Sequence, residues 1–183
     1  MLIALTYLLA DVIMALGVIF MKYDKSKTCC FTGHREVNPD HLSIIKTKLK
    51  TMIIDLIERG YVLFCTGGAL GFDTLVARSI LNLKKDYPFI KLALVLPCVN
   101  QATQWNEIDQ MEYKNIKEKA DEEVYTSTYY YRGCMHKRNR YLVDNSSACI
   151  CYMLKDKGGT AYTVQYAKKR SFLIYNVMKG GSL

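Results

Sequence analysis

Tyr61-Val62-Leu63-Phe64-Cys65-Thr66-Gly67-Gly68-Ala69-Leu70-Gly71-Phe72-Asp73 runs from an apolar, strand-like stretch straight into a glycine-rich turn that opens a helix. Strand, glycine turn and helix N-terminus are the parts with which a backbone cradles a phosphate. Gly67 and Gly68 would let N–H groups approach an anion with no Cβ in the way, and Gly71 would allow a tight entry into the helix. The helix end adds roughly half a positive charge. Asp73 suits either a ribose hydroxyl or, more simply, the start of the helix itself. The spacing is neither Gly-x-Gly-x-x-Gly nor a P-loop, which needs Lys and Ser or Thr after its last glycine.

The same alternation extends on both sides. Thr28 to Thr32 reads as a strand ending at Gly33, and Asn38-Pro39 is a helix start. Leu42, Ile45, Leu49, Ile53 and Leu56 recur at helical spacing before Gly60 stops them. Beyond the glycine turn, Phe72, Val76, Ile80, Leu83 and Tyr87 mark a helix, and Lys91 to Cys98 a third strand. Residues 100–123 are expected to be mostly helical, Val124 to Tyr130 a fourth strand, and Met135 to about Val143 a helix. Ala148 to Leu154, Thr160 to Lys169 and Phe172 to Val177 complete the pattern as strand, helix and strand. Strands separated by helices pair in parallel through right-handed crossovers. The expected fold is therefore α/β, a doubly wound, mostly parallel sheet with helices on both faces, over residues 27–178.

Such sheets bind ligands beyond the carboxyl ends of their strands. Four strand-to-helix loops would gather there: Thr32-Gly33-His34-Arg35, Thr66 to Asp73, Gly133 to Asn139, and Lys157-Gly158-Gly159-Thr160. Arg35 and Arg138 offer guanidinium forks for phosphate oxygens. Thr160 would cap its helix or donate a hydroxyl to a phosphate. His34 has no carboxylate nearby in sequence to orient it, so a binding or structural role fits better than acid–base work. Asn139 sits on the polar side of its helix, and Trp105, the single tryptophan, is either a core anchor or a stacking surface for a base.

Composition sets the remaining bounds. With 183 residues, half of them hydrophobic, the chain fits one globular domain. Its net charge of +8 points to an anionic partner without choosing among nucleotide, nucleic acid and lipid. The charge reads as scattered along the chain, and aromatics do not interleave with it, which counts against nucleic acid. Seven cysteines lie mostly in apolar runs and read as reduced core residues, and no cysteine–histidine spacing suits a metal. Self-association is left open.

Residues 1–21 are almost wholly apolar and long enough to cross a bilayer. Asp11 would cost about 2.5–3.5 kcal/mol at mid-membrane, which the surrounding Leu, Ile, Val and Phe offset. Lys22, Lys25 and Lys27 would keep the rest of the chain cytoplasmic. In the other reading Met21 is the start of a wholly cytoplasmic protein and the first twenty residues are not translated.

Five ordered blocks resemble the YpsA-like branch of the SLOG superfamily, named for the LOG and Smf/DprA proteins. They are Cys29 to Arg35, Thr66 to Asp73, Pro97-Cys98 with Gln101 and Trp105, Gly133 to Met135 with Arg138 to Asp144, and Gly158 to Thr160 leading to Tyr166-Ala167-Lys168-Lys169. The resemblance implies a Rossmann-like fold and a site for a nucleotide or an NAD or ADP-ribose relative, with a sensing role in many branches and no required cofactor. By it, Gly33, Arg35, Gly67, Gly68, Gly71, Asp73, Arg138, Asn139, Gly158, Gly159 and Thr160 are expected to line the ligand. LOG phosphoribohydrolases follow their glycine run with a catalytic glutamate. Here Ala161-Tyr162-Thr163-Val164-Gln165 follows, with no acid, so hydrolysis by that route lacks its residue. The alternatives are a nucleotide N-glycosidic hydrolase and DprA-like binding of single-stranded DNA.

Overall fold

The computed structural model describes residues 23–170 and 172–179, so the apolar segment 1–21 lies outside the described residues. Among the described residues no helix is long and apolar enough to cross a membrane. The elements are β1 (Thr28–Gly33), α1 (Leu42–Glu58), β2 (Leu63–Thr66), α2 (Phe72–Leu83), β3 (Lys91–Leu96) and α3 (Glu107–Lys119). They continue as β4 (Glu122–Tyr125), α4 (Cys134–Asp144), β5 (Ala148–Tyr152), α5 (Gly159–Lys168) and β6 (Leu173–Asn176).

All five strand pairings are parallel, and the order is β4-β3-β2-β1-β5-β6. Side chains of a strand alternate between faces, so each strand feeds two cores. Cys29 and Phe31 of β1 pack with Phe64, Leu94, Ile45 and Val76 against α1 and α2. Cys30 instead joins Leu63, Val95, Leu142, Cys149 and Val164 against α4 and α5. Right-handed crossovers require this sorting, because the chain steps outward from β1 to β4 and then jumps back to β5. The reversal lies between β1 and β5, where Gly33 pairs with Tyr152 at their carboxyl ends.

All seven cysteines are buried and unpaired, four of them in the β1 and β5 strands at the centre of the sheet. Burial, reinforced by neighbouring thiols, pushes Cys29 and Cys65 well above the usual thiol range.

Several boundaries differ from the sequence expectation. Thr126 to Tyr130 leaves the sheet after Tyr125, because β4 is an edge strand with β3 alone to pair with, and β3 ends at Leu96. α3 begins only at Glu107, where Asn106 caps it by accepting the Asp109 N–H at 2.9 Å. Trp105 thus sits in the turn ahead of the helix. Asn38 does cap, but it caps a single 3-10 turn, Pro39–His41, from which α1 continues.

Candidate functional site

A cleft of about 290 Å³ opens where the strand order reverses. The end of β1 and its loop contribute Gly33, His34 and Arg35, the β2 loop Ala69, the first turn of α2 Asp73, α4 Met135, Arg138 and Asn139, and α5 Gly159 and Thr160. A larger groove of about 850 Å³ adjoins it between α2 and α3, sharing Arg35 and Asp73 and adding Gly68, Gly71 and Trp105. The larger volume is the shallower chemistry, walled by Ile108, Met111 and an Arg78–Glu112 ion pair at 2.6 Å. The smaller holds the convergent polar groups.

Asp73 and Arg138 form the centre of the cleft. They lie 65 residues apart in sequence, and Arg138 Nη1 stands 3.5 Å from Asp73 Oδ2, both side chains being more than nine-tenths buried. The same carboxylate oxygen accepts the Ala69 N–H at 3.1 Å, so Asp73 fastens the glycine turn to its own helix. Burial raises the Asp73 pKa in spite of Arg138 and the Ala69 N–H. Burial likewise lowers that of Arg138 against the pull of Asp73, with Arg35 adding like-charge repulsion. Arg138 Nε has no hydrogen-bond partner, a costly condition for a buried donor unless something else supplies an acceptor. Two arginines against one aspartate leave the cleft positive.

The first glycine pair is filled from within. A Cβ on Gly67 would lie 1.0 Å from Arg138 Nη1, and one on Gly68 would lie 2.7 Å from Leu96 Cδ2. Gly68 also turns its carbonyl to Gln101, whose Nε2 donates at 2.7 Å. Gly71, at φ +74°, meets the β1 loop so closely that a Cβ would be 2.0 Å from the Arg35 carbonyl oxygen. There the Phe72 N–H donates to the His34 carbonyl at 3.1 Å. These three glycines serve contacts between loops, so the expectation that they leave backbone open to a ligand is corrected for Gly67. Gly68 and Gly71 border the adjoining groove instead.

The second pair is different. Around Gly158 and Gly159 a Cβ would meet nothing within 4 Å. α5 starts there with no side-chain cap; Thr160, expected as a cap, lies inside the first turn and is 7% exposed. α2 and α4 likewise begin at glycines, Gly71 and Gly133, without a side-chain cap. Of the other two starts, that of α3 is capped by Asn106, whereas Asn38 caps the 3-10 turn ahead of α1, which itself begins after His41 without a side-chain cap. The three helices that start at glycines are those whose first turns reach the cleft, and each turns a positive dipole end toward it, although at α2 the Phe72 N–H is already taken by the His34 carbonyl.

His34 ties the two strands at the reversal. Its Nε2 accepts the Leu154 N–H at 3.1 Å, so the neutral ring carries its proton on Nδ1. Burial, then the charge of Lys155, lowers its pKa. Asn176 fastens the same exit from β5: its Nδ2 donates to the Met153 carbonyl at 2.8 Å, and its Oδ1 accepts the Met178 N–H at 3.1 Å.

Of the residues singled out in sequence, Gly33, His34, Arg35, Asp73, Arg138, Asn139, Gly159 and Thr160 line the cleft together. Thr66 lies beneath it, buried, with its hydroxyl near Asp73. Trp105 stands in the groove, edge-on to Tyr113 at 5.3 Å between ring centres. Ala69 and Met135 line the cleft with no sequence signal beyond their neighbours. Among the described residues no cluster of His, Cys, Asp or Glu could hold a metal ion.

Residues 29–177 match the family model YpsA, described as the YspA SLOG family. The chain belongs to the YspA SLOG family. Among the relatives of this family member, a UPF0398 protein of Brevibacillus brevis is 32% identical over 139 residues, covering 74% of this chain and 73% of its own. The fold also resembles DNA processing protein A from Streptococcus pneumoniae, with a TM-score of 0.62 at 14% identity. A second DNA processing protein A, from Helicobacter pylori and described by its single-stranded DNA binding mode, gives 0.58 at 19% identity. Each comparison covers 82% of this chain, which spans 50% and 64% of those two structures. Membership and fold together make this a Rossmann-like, nucleotide-related binding fold.

Proposed function

We propose that this SLOG protein binds a nucleotide-derived anion of the ADP-ribose or dinucleotide class and acts as a metabolite sensor. The observation that carries the reading is the open start of α5 at Gly158-Gly159, facing the positive cleft that holds Arg138 with its unpartnered Nε. A phosphate seated there takes backbone N–H groups from α5 and the charge of Arg138 and Arg35, as anions do at helix N-termini. A ribose and base then extend toward the groove that holds Trp105.

Calorimetry of the full chain with ADP-ribose, NAD and AMP tests this. Binding of one of them, lost on Gly159→Asp with folding intact by circular dichroism, is the expected result. Binding that survives Gly159→Asp overturns the placement. The same incubations, followed by chromatography for released base, separate sensing from N-glycosidic hydrolysis. Asp73 is the one carboxylate lining the cleft among the described residues, and Ala69 and Arg138 already hold it.

A further inference from the structure

We infer that the outward side of α3 pairs with the same side of a second copy of this chain, about a two-fold axis that sets the two α3 helices antiparallel. The first observation is how little of α3 the domain covers. Of its thirteen residues only Ile116 is buried, and its other aliphatic side chains, Ile108 and Met111, are 80% and 72% exposed. An amphipathic helix ordinarily turns its apolar stripe to the core, whereas here one turn of that stripe, at i and i+3, points to solvent. Beside Met111 lies a hollow of about 510 Å³ between α3 and the turn after β3, walled by Val99, Ala102, Glu107 and Lys114. Val99 is itself 55% exposed. The larger groove flanks Ile108 and Met111 on their other side. An apolar ridge next to a hollow is what a two-fold contact needs, since the ridge of each copy must find a hollow on the other.

The second observation is the order of charge, which says what covers this side. Glu107, Asp109 and Glu112 stand in the first half of α3, and Lys114, Lys117 and Lys119 in the second, with Glu118 among them. The helix dipole favours that order at the two ends, and Glu112 and Lys117 are already paired, with Arg78 at 2.6 Å and Glu123 at 3.1 Å. Glu107 and Lys114 are not. Both are exposed, both rim the hollow, and neither has an ion-pair partner among the described residues. They lie about 10 Å apart along the helix axis, with Met111 between them. An antiparallel copy crossing at the level of Met111 therefore sets each Glu107 against Lys114 of the other copy and brings the two Met111 side chains together. A parallel copy would set like against like. An anionic lipid surface is repelled by Glu107 and Asp109, and a partner of one-signed charge loses at one end of α3 what it gains at the other. A second copy carries the complement by construction.

Sedimentation velocity of the full chain at low salt, over a range of about 1 to 200 μM, tests the inference. The expected result is a reversible monomer–dimer equilibrium that Met111→Lys weakens about tenfold or more. Glu107→Lys alone and Lys114→Glu alone should each weaken it by about the same factor, because each puts two like-charged pairs across the contact. The double variant Glu107→Lys with Lys114→Glu should restore it. Mixing the two single variants should do so as well, since every facing pair in the mixed dimer is again of opposite sign. The pairing does not rest on which ligand the cleft takes, so Gly159→Asp should leave it unchanged. The three substituted α3 residues are exposed, and circular dichroism checks that each variant folds. A monomer at the highest concentration, a dimer indifferent to Met111→Lys, such as one held by the apolar segment 1–21, or single variants that fail to associate when mixed would each overturn it.

Discussion

A methyl group added at Gly67 would lie 1.0 Å from Arg138, whereas one added at Gly159 would meet no atom within 4 Å. Both residues belong to paired glycines that follow a strand and open a helix, and in sequence they read alike. The β2 pair is glycine because protein atoms already occupy the space: a guanidinium at Gly67, Leu96 and Gln101 at Gly68. Beside the β5 pair the space is empty. An absent Cβ therefore records a close neighbour in one loop, whereas in the other the left-handed backbone of Gly158, at φ +91°, favours glycine and the space beside Gly159 is open to the ligand proposed above.

Gly67→Ala should give the largest effect. It expels Arg138 from its place beside Asp73 and leaves a buried carboxylate unpaired, a loss of about 3–5 kcal/mol in urea unfolding. Arg138→Met sharpens the point: alone it should cost a similar amount, while Asp73→Asn with Arg138→Met should recover most of it, because an uncompensated buried charge is worse than none. Gly159→Ala should break the comparison if it is wrong. Its expected effect on stability lies within about 0.5 kcal/mol, yet ADP-ribose affinity by calorimetry should fall at least tenfold. A destabilisation like that of Gly67→Ala would mean that the β5 pair, too, is internal packing.

The smallest expected effect is a pH dependence at the join between the loops. Burial and Lys155 lower the His34 pKa from 6.5, so the neutral ring's bond to Leu154 is intact above that value. Its contribution is lost as pH falls from 6.5 through the lower folded value, where the unfolded chain takes up the proton more readily. Urea midpoints compared at about pH 7.5 and 5.5 should drop more for the native chain than for His34→Asn.

The alternation of strands and helices was legible because apolar periodicity and glycine or proline stops agree along the chain. β4 misled, since Thr126 to Tyr130 has strand composition and no partner strand to use it. Arg138 and Asp73 were each visible as candidates, but their pairing was not. A contact across 65 residues depends on where α4 crosses the sheet, which no local pattern encodes. Thr160 does not cap α5, because the cap position falls two residues earlier, on Gly158, which has no side chain to accept a hydrogen bond.

The seven buried thiols give the molecule a reporter of its own. With every sulfur shielded in the fold, an alkylating reagent added to the native protein should find almost nothing to react with. Each modified cysteine, located by mass spectrometry, would then mark a segment that has opened. Labelling at Cys98 and Cys134 ahead of Cys30 and Cys149 would map breathing at the rim before rupture of the central strands, with no probe introduced by mutation.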